Sequence, residues 1–156
     1  MNQQLTHSTK DFFATPVVQQ KLQELLGKNA QSFATSVLQV VNSNDMLKSA
    51  DPMTIFSAAC MAATLNLPIN NNLGFAYIVP YKRKFKDAQG KWSESLEAQF
   101  QMGYKGFIQL AQRSGQFARI AATPVFEGQL ISANPLLGYE FDWTVPNQGE
   151  AIGYVA

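Results

Sequence analysis

The sequence has few of the side chains on which enzymes most often build an active site. Among its 156 residues there is one histidine, His7, and one cysteine, Cys60. A single cysteine excludes an internal disulfide framework, and one histidine in a polar N-terminal segment argues against a histidine triad or a histidine-based zinc site. Cys60 stands in an apolar stretch, which is typical of a small core residue rather than a reactive thiol.

Nucleotide-binding, secretory and membrane-spanning patterns are also missing. Neither a GxxxxGK[ST] segment nor a GxGxxG segment after a strand occurs, which argues against a phosphate-binding loop and a dinucleotide site. No apolar run approaches the ~18 residues of a membrane span, and the polar N-terminus does not resemble a signal peptide. We therefore expect a soluble, cytoplasmic protein without a cofactor.

The acidic residues are sparse and form no clear metal-binding pattern. Glu94 and Glu97 lie three positions apart on a predicted strand, which puts them on opposite faces. Glu140 and Asp142 can share a strand face, but two carboxylates are weak evidence for a catalytic Mg²⁺ site. We predict no catalytic residue and no metal site, and a metal-dependent nuclease remains the minor alternative.

Charged residues make up only 15% of the chain, and they are unevenly distributed. Residues 1–80 have no net charge, whereas residues 120–156 carry four acids and no Lys or Arg. Between them, residues 81–119 carry eight Lys or Arg against three acids, a net charge of +5. Such a block is a candidate binding surface for a polyanion. The alternative is a solvated hairpin, since local charge runs are common on protein surfaces.

The order of predicted elements indicates an α+β fold with N-terminal helices, a basic β-hairpin, a helix and then antiparallel strands. Thr15-Pro16 and Asp51-Pro52 are typical helix starts, and Gly27 is placed to end the first helix. Residues 1–11 are expected to be a flexible tail. The predicted helices are 16–26, 30–42, 52–66 and 104–114, and the predicted strands are 75–81, 96–102, 119–126, 139–143 and 152–155.

Two further expectations concern the centre of the domain and its extent. The helix that starts at Pro52 is apolar nearly all round, which predicts that it is buried at the centre. The last predicted strand stops at Ala156 with no closing element after it. We therefore interpret residues 12–156 as the N-terminal part of a longer domain.

The basic block combines two requirements of sequence-tolerant binding to single-stranded nucleic acid, which are cations for phosphates and flat rings for bases. Phe100 and Phe107 are predicted to be core residues, whereas Tyr81, Trp92 and Tyr104 could stack on bases or pack inside. One sector of about 100° on the helix after the hairpin is polar, although an ordinary amphipathic helix has the same pattern. That sector contains Lys105, Gln109, Gln112 and Arg113.

Several separate blocks of sequence occur in an order and spacing that resemble the RecT family of phage recombinases. The resemblance extends over roughly residues 12–128. The blocks are DPMT at 51–54, LNLP at 65–68, LGFAYIVPY at 73–81, AQFQMGYKGFIQLA at 98–111 and RSGQ at 113–116. A later basic helical region that the family carries is absent from this sequence.

The resemblance implies ATP-independent binding of single-stranded DNA and annealing of complementary strands in phage recombination. It also implies homo-oligomeric rings or filaments that hold the annealed duplex in a basic groove, a phage 5′→3′ exonuclease partner and a host single-strand binding protein. A protein that coats single strands without annealing them is the alternative. Lys86 and Lys91 are not assigned to the site, because their turn is longer than in relatives. The implied DNA-contacting residues are Lys82, Lys84, Gln99, Gln101, Tyr104, Lys105, Arg113 and Arg119.

Overall fold

The structure is a computed structural model that describes residues 8–156. The chain divides into two compact units, residues 1–113 and residues 114–156. The first unit contains helices and one β-hairpin, and the second contains two further pairs of antiparallel strands. The predicted α+β class is therefore confirmed. None of the helices in the described part of the chain is long and apolar enough to cross a membrane.

The helices begin where capping residues and prolines predict them. Thr15 and Asp51 are the N-caps of the two helices that start with proline, and Gly27 ends the first of these. A short helix also occupies part of the expected tail, where the Ser8 hydroxyl accepts a hydrogen bond from the Asp11 N–H; residues 1–7 lie outside the described residues. The helices are α1 (Thr9–Phe13), α2 (Pro16–Leu26), α3 (Ala30–Asn42), α4 (Asp45–Lys48), α5 (Pro52–Thr64) and α6 (Tyr104–Arg113), with a 3₁₀ turn at Gly27–Asn29.

Helix α5 forms the centre of the first unit, as its apolar sequence predicts, but only part of its circumference is covered. Ile55, Ala59 and Ala62 are completely buried against the other helices and the hairpin. Met53 and Met61 are exposed, so the prediction of burial all round is wrong for that face. The small alanines allow neighbouring elements to approach the helix closely on its buried side.

The hairpin consists of β1 (Ala76–Lys86) and β2 (Trp92–Met102), and both strands reach further toward the turn than the sequence predicts. The Leu96 carbonyl and the Ala98 N–H point away from β1, since they bond to the Asp51 N–H and the Thr54 hydroxyl at the start of α5. Pro80 lies opposite Ala98, so its backbone nitrogen also points away from the partner strand. The missing N–H of proline therefore costs the ladder no hydrogen bond. The hairpin is thereby anchored to α5 through the outer edge of β2.

Helix α6 packs closely on the rest of the first unit because glycines remove side chains from the contact. A Cβ atom at Gly103 would overlap the Gly74 carbonyl oxygen, and one at Gly106 would overlap the Phe75 carbonyl oxygen. Gly74 itself has φ = +76°, in the left-handed region that favours glycine. The glycines of the GYKG segment thus fix the position of α6 beside the base of the hairpin.

The second unit is built from two strand pairs, β3 (Thr123–Phe126) with β6 (Ala151–Val155) and β4 (Leu130–Asn134) with β5 (Gly138–Phe141). Strand β4 was not predicted, and β3 begins at Thr123 rather than at 119. The buried Gln129 organises this unit, since its side chain accepts from the Phe126 N–H and donates to the Val145 carbonyl.

Candidate nucleic-acid interface

Alternate side chains of the hairpin point to opposite faces, and the two faces carry different chemistry. The even-numbered positions near the base of the hairpin, such as Ile78 and Ala98, are buried against the helices. Further toward the turn the same series of alternate positions carries three exposed lysines. We call Lys82, Lys84 and Lys86 the lysine row.

The lysine row is only partly neutralised by neighbouring acids. The Lys84 ammonium lies 3.6 Å from a Glu94 carboxylate oxygen, and both side chains are exposed, so the attraction is weak. Among the described residues, Lys82 and Lys86 have no carboxylate within ion-pair distance. The Lys86 ammonium lies 5.3 Å from the centroid of the Trp92 ring, which is 66% exposed. The end of the hairpin thus displays cations beside an accessible flat ring.

The other face of the hairpin is neutralised around Glu97. Its carboxylate accepts hydrogen bonds from the Tyr81 hydroxyl at 2.8 Å and from the Arg83 guanidinium at 3.3 Å. The Ser95 hydroxyl donates to it at 3.0 Å. The Tyr81 hydrogen bond, followed by those from Ser95 and Arg83, lowers the pKa of Glu97, and the same contact raises the pKa of the Tyr81 phenol. Arg83 is therefore paired within the hairpin, although its side chain is exposed.

The strand register separates the predicted hairpin contacts into two groups. Gln99 and Gln101 lie opposite Val79 and Tyr77 and belong to the same series of alternate positions as Glu97. Lys82 and Lys84 belong to the other series. The glutamines are exposed, but the hairpin does not bring them onto the face of the lysine row.

Helix α6 is oriented differently from the amphipathic pattern that its sequence suggests. Its buried side contains Gly106, and Gln109 is half-buried with an enclosed Oε1 atom that has no hydrogen-bond partner. Phe107 is 61% exposed, so its prediction as a core residue is wrong. The predicted polar stripe is therefore not one exposed row. Tyr104 and Lys105 at the start of α6 are exposed.

Arg113 has a structural role that the sequence did not reveal. Its guanidinium donates to the Leu65 carbonyl and to the Asn66 carbonyl, each at 2.8 Å. These carbonyls follow the end of α5, where Asn66 adopts a left-handed conformation with φ = +49°. Arg113 thereby joins α6 to the end of the central helix. Arg119, by contrast, belongs to the second unit and lies before β3 in an exposed segment.

The structure brings together two groups of residues whose proximity the sequence does not predict. Lys86 and Trp92 are cross-strand neighbours at the end of the hairpin, which only the register reveals. In the second unit the ring centroids of Tyr139 and Phe141 are 6.4 Å apart, and those of Phe141 and Trp143 are 5.0 Å apart. Their spacing of two residues could have indicated this aromatic ladder. The ladder lies in an acidic unit, which disfavours phosphate binding there.

The carboxylates considered for a metal site are held by other contacts. Glu94 faces Lys84, and Glu140 accepts a hydrogen bond from the Ser132 hydroxyl. Asp142 accepts from Thr144, and this hydrogen bond lowers the pKa of its carboxyl. Within residues 8–156, no group of three or more His, Cys, Asp or Glu side chains is arranged to hold a metal ion.

Comparison with known proteins identifies relatives of this chain. The model of the RecT family matches residues 31–156. The chain is 43% identical over 155 residues to the uncharacterized protein YqaK of Bacillus subtilis strain 168, a match that covers 99% of this chain and 50% of that protein. It is 37% identical over 86 residues to protein RecT of Escherichia coli K12, over 55% of this chain and 30% of that protein. The matches thus span half or less of the length of these relatives.

Proposed function

Because the chain belongs to the RecT family, we propose that it binds single-stranded DNA on the lysine row and promotes the annealing of complementary strands without ATP. The observation that supports the DNA site most strongly is the juxtaposition of Lys82, Lys84 and Lys86 with the exposed ring of Trp92. The cations would bind phosphates, and the ring offers a surface on which a base can stack.

The geometry of a strand suits a regularly charged backbone. Alternate residues of an antiparallel strand are about 6.8 Å apart, so the three lysines follow a line of about 14 Å. The contacts are made to phosphates rather than to base edges, and binding would therefore be indifferent to sequence. The bases of the bound strand would stay available to a second strand, and base pairing itself would supply the specificity. Stacking contributes roughly 1.4 kcal/mol per step of paired duplex.

Tyr104 and Lys105 are the best additional candidates for DNA contact. Both are exposed at the start of α6. The Lys105 side chain passes close to Gly74. A Cβ atom added at Gly74 would lie 3.6 Å from the Lys105 Cδ. Gln99, Gln101, Arg113 and Arg119 remain proposed contacts on the family resemblance alone, and the hydrogen bonds of Arg113 compete with that role.

The lysine row is tested by charge removal with a matched control. Alanine at Lys82, Lys84 and Lys86 should weaken binding of a mixed-sequence oligonucleotide and lower the magnitude of the salt slope by about 2, at ~0.7 per lost phosphate contact. Alanine at the exposed Lys10, Lys21 and Lys48 makes the same change of net charge elsewhere in the first unit. Equal losses of DNA affinity in the two variants would reject the site, because they would show that only the net charge matters.

Annealing is tested separately from binding. Two complementary labelled strands are mixed with the chain in the absence of ATP, and their pairing is followed over time. Faster pairing than in buffer is the proposed result. Binding without acceleration favours the alternative, a protein that coats single strands. Incubation of end-labelled DNA with Mg²⁺ or Mn²⁺ tests the nuclease alternative, and we expect the DNA to stay intact.

The family membership also supports proposals about partners. We propose that copies of the protein associate along DNA as rings or filaments, and that a 5′→3′ exonuclease exposes the strand that they bind. A host single-strand binding protein would compete for the same strand or deliver it. The place of action would be the cytoplasm of the bacterial host. A pull-down with the purified exonuclease tests the partner, and its failure would leave DNA binding untouched.

A further inference from the structure

A short turn in the second unit displays two leucines to solvent. Leu136 is 94% exposed and Leu137 is 88% exposed, between β4 and β5. The turn is nevertheless ordered, because the Asn134 side-chain oxygen accepts hydrogen bonds from the N–H groups of both leucines at 2.9 and 3.1 Å. Gly138, with φ = +92°, closes it. We call residues 135–137 the leucine turn. A fixed pair of exposed leucines is typical of an anchor for another surface.

The first unit contains an apolar cleft of about 200 Å³. An apolar cavity of roughly 150 Å³ can hold a benzene ring, so this cleft has room for at least one leucine side chain. It lies between α3 and the segment that follows α5. Its apolar lining is Leu26, Phe33, Ala63, Leu67, Pro68 and Ile69.

The two serine hydroxyls and the Asn66 carbonyl at the rim of the cleft are already hydrogen-bonded within the unit. The Ser32 hydroxyl donates to the Asn29 carbonyl, and the Ser36 hydroxyl donates to the Ser32 carbonyl. The Asn66 carbonyl accepts from the Arg113 guanidinium. An apolar group could therefore enter the cleft without leaving these donors unpaired, which favours a leucine over a polar ligand.

The two units that carry the cleft and the leucine turn have opposite net charge. The first unit has eleven Lys or Arg and seven acids, a net charge of +4, whereas the second has one Arg and four acids, a net charge of −3. Lys28 lies in the 3₁₀ turn beside the cleft, and Arg113 is bonded at its rim. Glu140 is three positions beyond the end of the leucine turn. Opposite charges favour contact between unlike units of two copies over contact between like units.

We propose that the leucine turn of one copy of this chain docks in the apolar cleft of a second copy. The two surfaces differ, so the contact is heterologous, and each copy retains one free turn and one free cleft for the next copy. Repetition of this contact generates a ring or a filament. This contact rests on the self-association in the proposed function, for which it supplies the protein–protein interface. None of its residues belongs to the lysine row.

The test uses one variant for each half of the contact. Leu136→Asp with Leu137→Asp disables the turn but keeps Asn134 and Gly138, which hold its conformation. Ser32→Trp fills the cleft from an exposed position of α3. Each variant alone should lose at least tenfold in association constant by sedimentation velocity without DNA. An equimolar mixture should form a dimer and stop there, because only one intact turn and one intact cleft remain to pair.

Matched controls separate the contact from misfolding and from charge. Ile131→Asp with Ile152→Asp changes two exposed apolar residues of the second unit in the same way, and Thr35→Trp adds the same ring on α3 outside the cleft. Both controls should assemble like the unaltered chain, and all variants should keep its circular dichroism. A monomeric unaltered chain, or a mixture that gives no dimer, overturns the proposal. Assembly of a lysine-row variant that still binds DNA normally would reject the DNA site alone, whereas DNA binding by an unaltered chain that stays monomeric would reject the docking contact alone.

Discussion

Glu97 is the residue that decides which face of the hairpin keeps its charge. Its carboxylate accepts hydrogen bonds from Tyr81, Arg83 and Ser95. On the face of the lysine row, Glu94 forms only a longer, exposed ion pair with Lys84. A count of charges along the sequence cannot show this difference between the faces. Arg83 and Lys84 are adjacent in sequence, and each adds one positive charge to the count. The positive charge that is available to bind phosphates is therefore smaller than the composition of residues 81–119 suggests, and it lies on the hairpin face of the lysine row.

The contacts of Glu97 predict a pH dependence of stability. The folded-state pKa lies below the ordinary value of 4.5, so this carboxylate stabilises the fold above about pH 4.5 and the contribution is lost as the pH falls through the folded-state pKa. The melting temperature of Glu97→Gln should therefore depend less steeply on pH than that of the unaltered chain. Glu94→Gln, on the same strand, is the charge-matched control. Parallel curves for the unaltered chain and Glu97→Gln would contradict the assignment.

Arg113 is predicted to matter first for folding. Arg113→Ala removes two hydrogen bonds from a charged donor and should lower the free energy of unfolding by about 1–2 kcal/mol. Arg113→Lys keeps the charge but lacks the planar fork, so it should recover little of the lost stability. Chemical denaturation measures both variants, with Arg119→Ala as the control for charge. Normal stability in Arg113→Ala together with weak DNA binding would instead assign Arg113 to the DNA.

At the scale of elements, the hairpin was predictable in kind but not in detail. Pro80, the basic turn and the aromatic and β-branched residues indicate two strands with an open edge. Which side chains share a face depends on the register, and a shift of one residue would exchange the faces. Tertiary contacts from Asp51 and Thr54 to the outer edge of β2 hold the hairpin against the start of α5, and no local pattern contains them.

Helix α6 shows why a correct helix can be assigned the wrong face. The spacing of its large apolar residues predicts that Phe107 is buried. The contact is instead made through Gly106, where the absence of a side chain lets the backbones approach. A glycine at a close contact has no signal in a pattern based on hydrophobicity, so the exposed position of Phe107 could not be derived from the sequence.

The close approach at α6 predicts a strong effect of a single methyl group. A Cβ atom at Gly106 would overlap the Phe75 carbonyl and lie 2.9 Å from the Met102 Cγ. Gly106→Ala should therefore destabilise the chain by about 1–3 kcal/mol, the usual cost of overpacking, despite the better helix propensity of alanine. Gly153→Ala is the matched control, since nothing lies within 4 Å of its added Cβ. Thermal unfolding that is equal for both variants would contradict the described packing.

At the scale of the whole molecule, the two units have opposite net charge and different surfaces. The first presents the lysine row, and the second presents exposed apolar side chains among acids. The sequence revealed the charge blocks and the family, whereas the leucine turn and the apolar cleft required the structure. Each unit contains one of the two tryptophans, Trp92 at the hairpin and Trp143 in the aromatic ladder. The chain therefore carries a separate optical reporter for each unit.

The most direct test of the account is tryptophan fluorescence during titration with mixed-sequence single-stranded DNA. In the Trp143→Phe chain, the emission of Trp92 should be quenched in a saturable way and recover as salt is added, since bases stack near it and phosphates bind the lysine row. In the Trp92→Phe chain, the emission of Trp143 should stay constant while DNA binds. If Trp143 responds and Trp92 does not, the DNA lies on the second unit and the assignment of the lysine row is wrong.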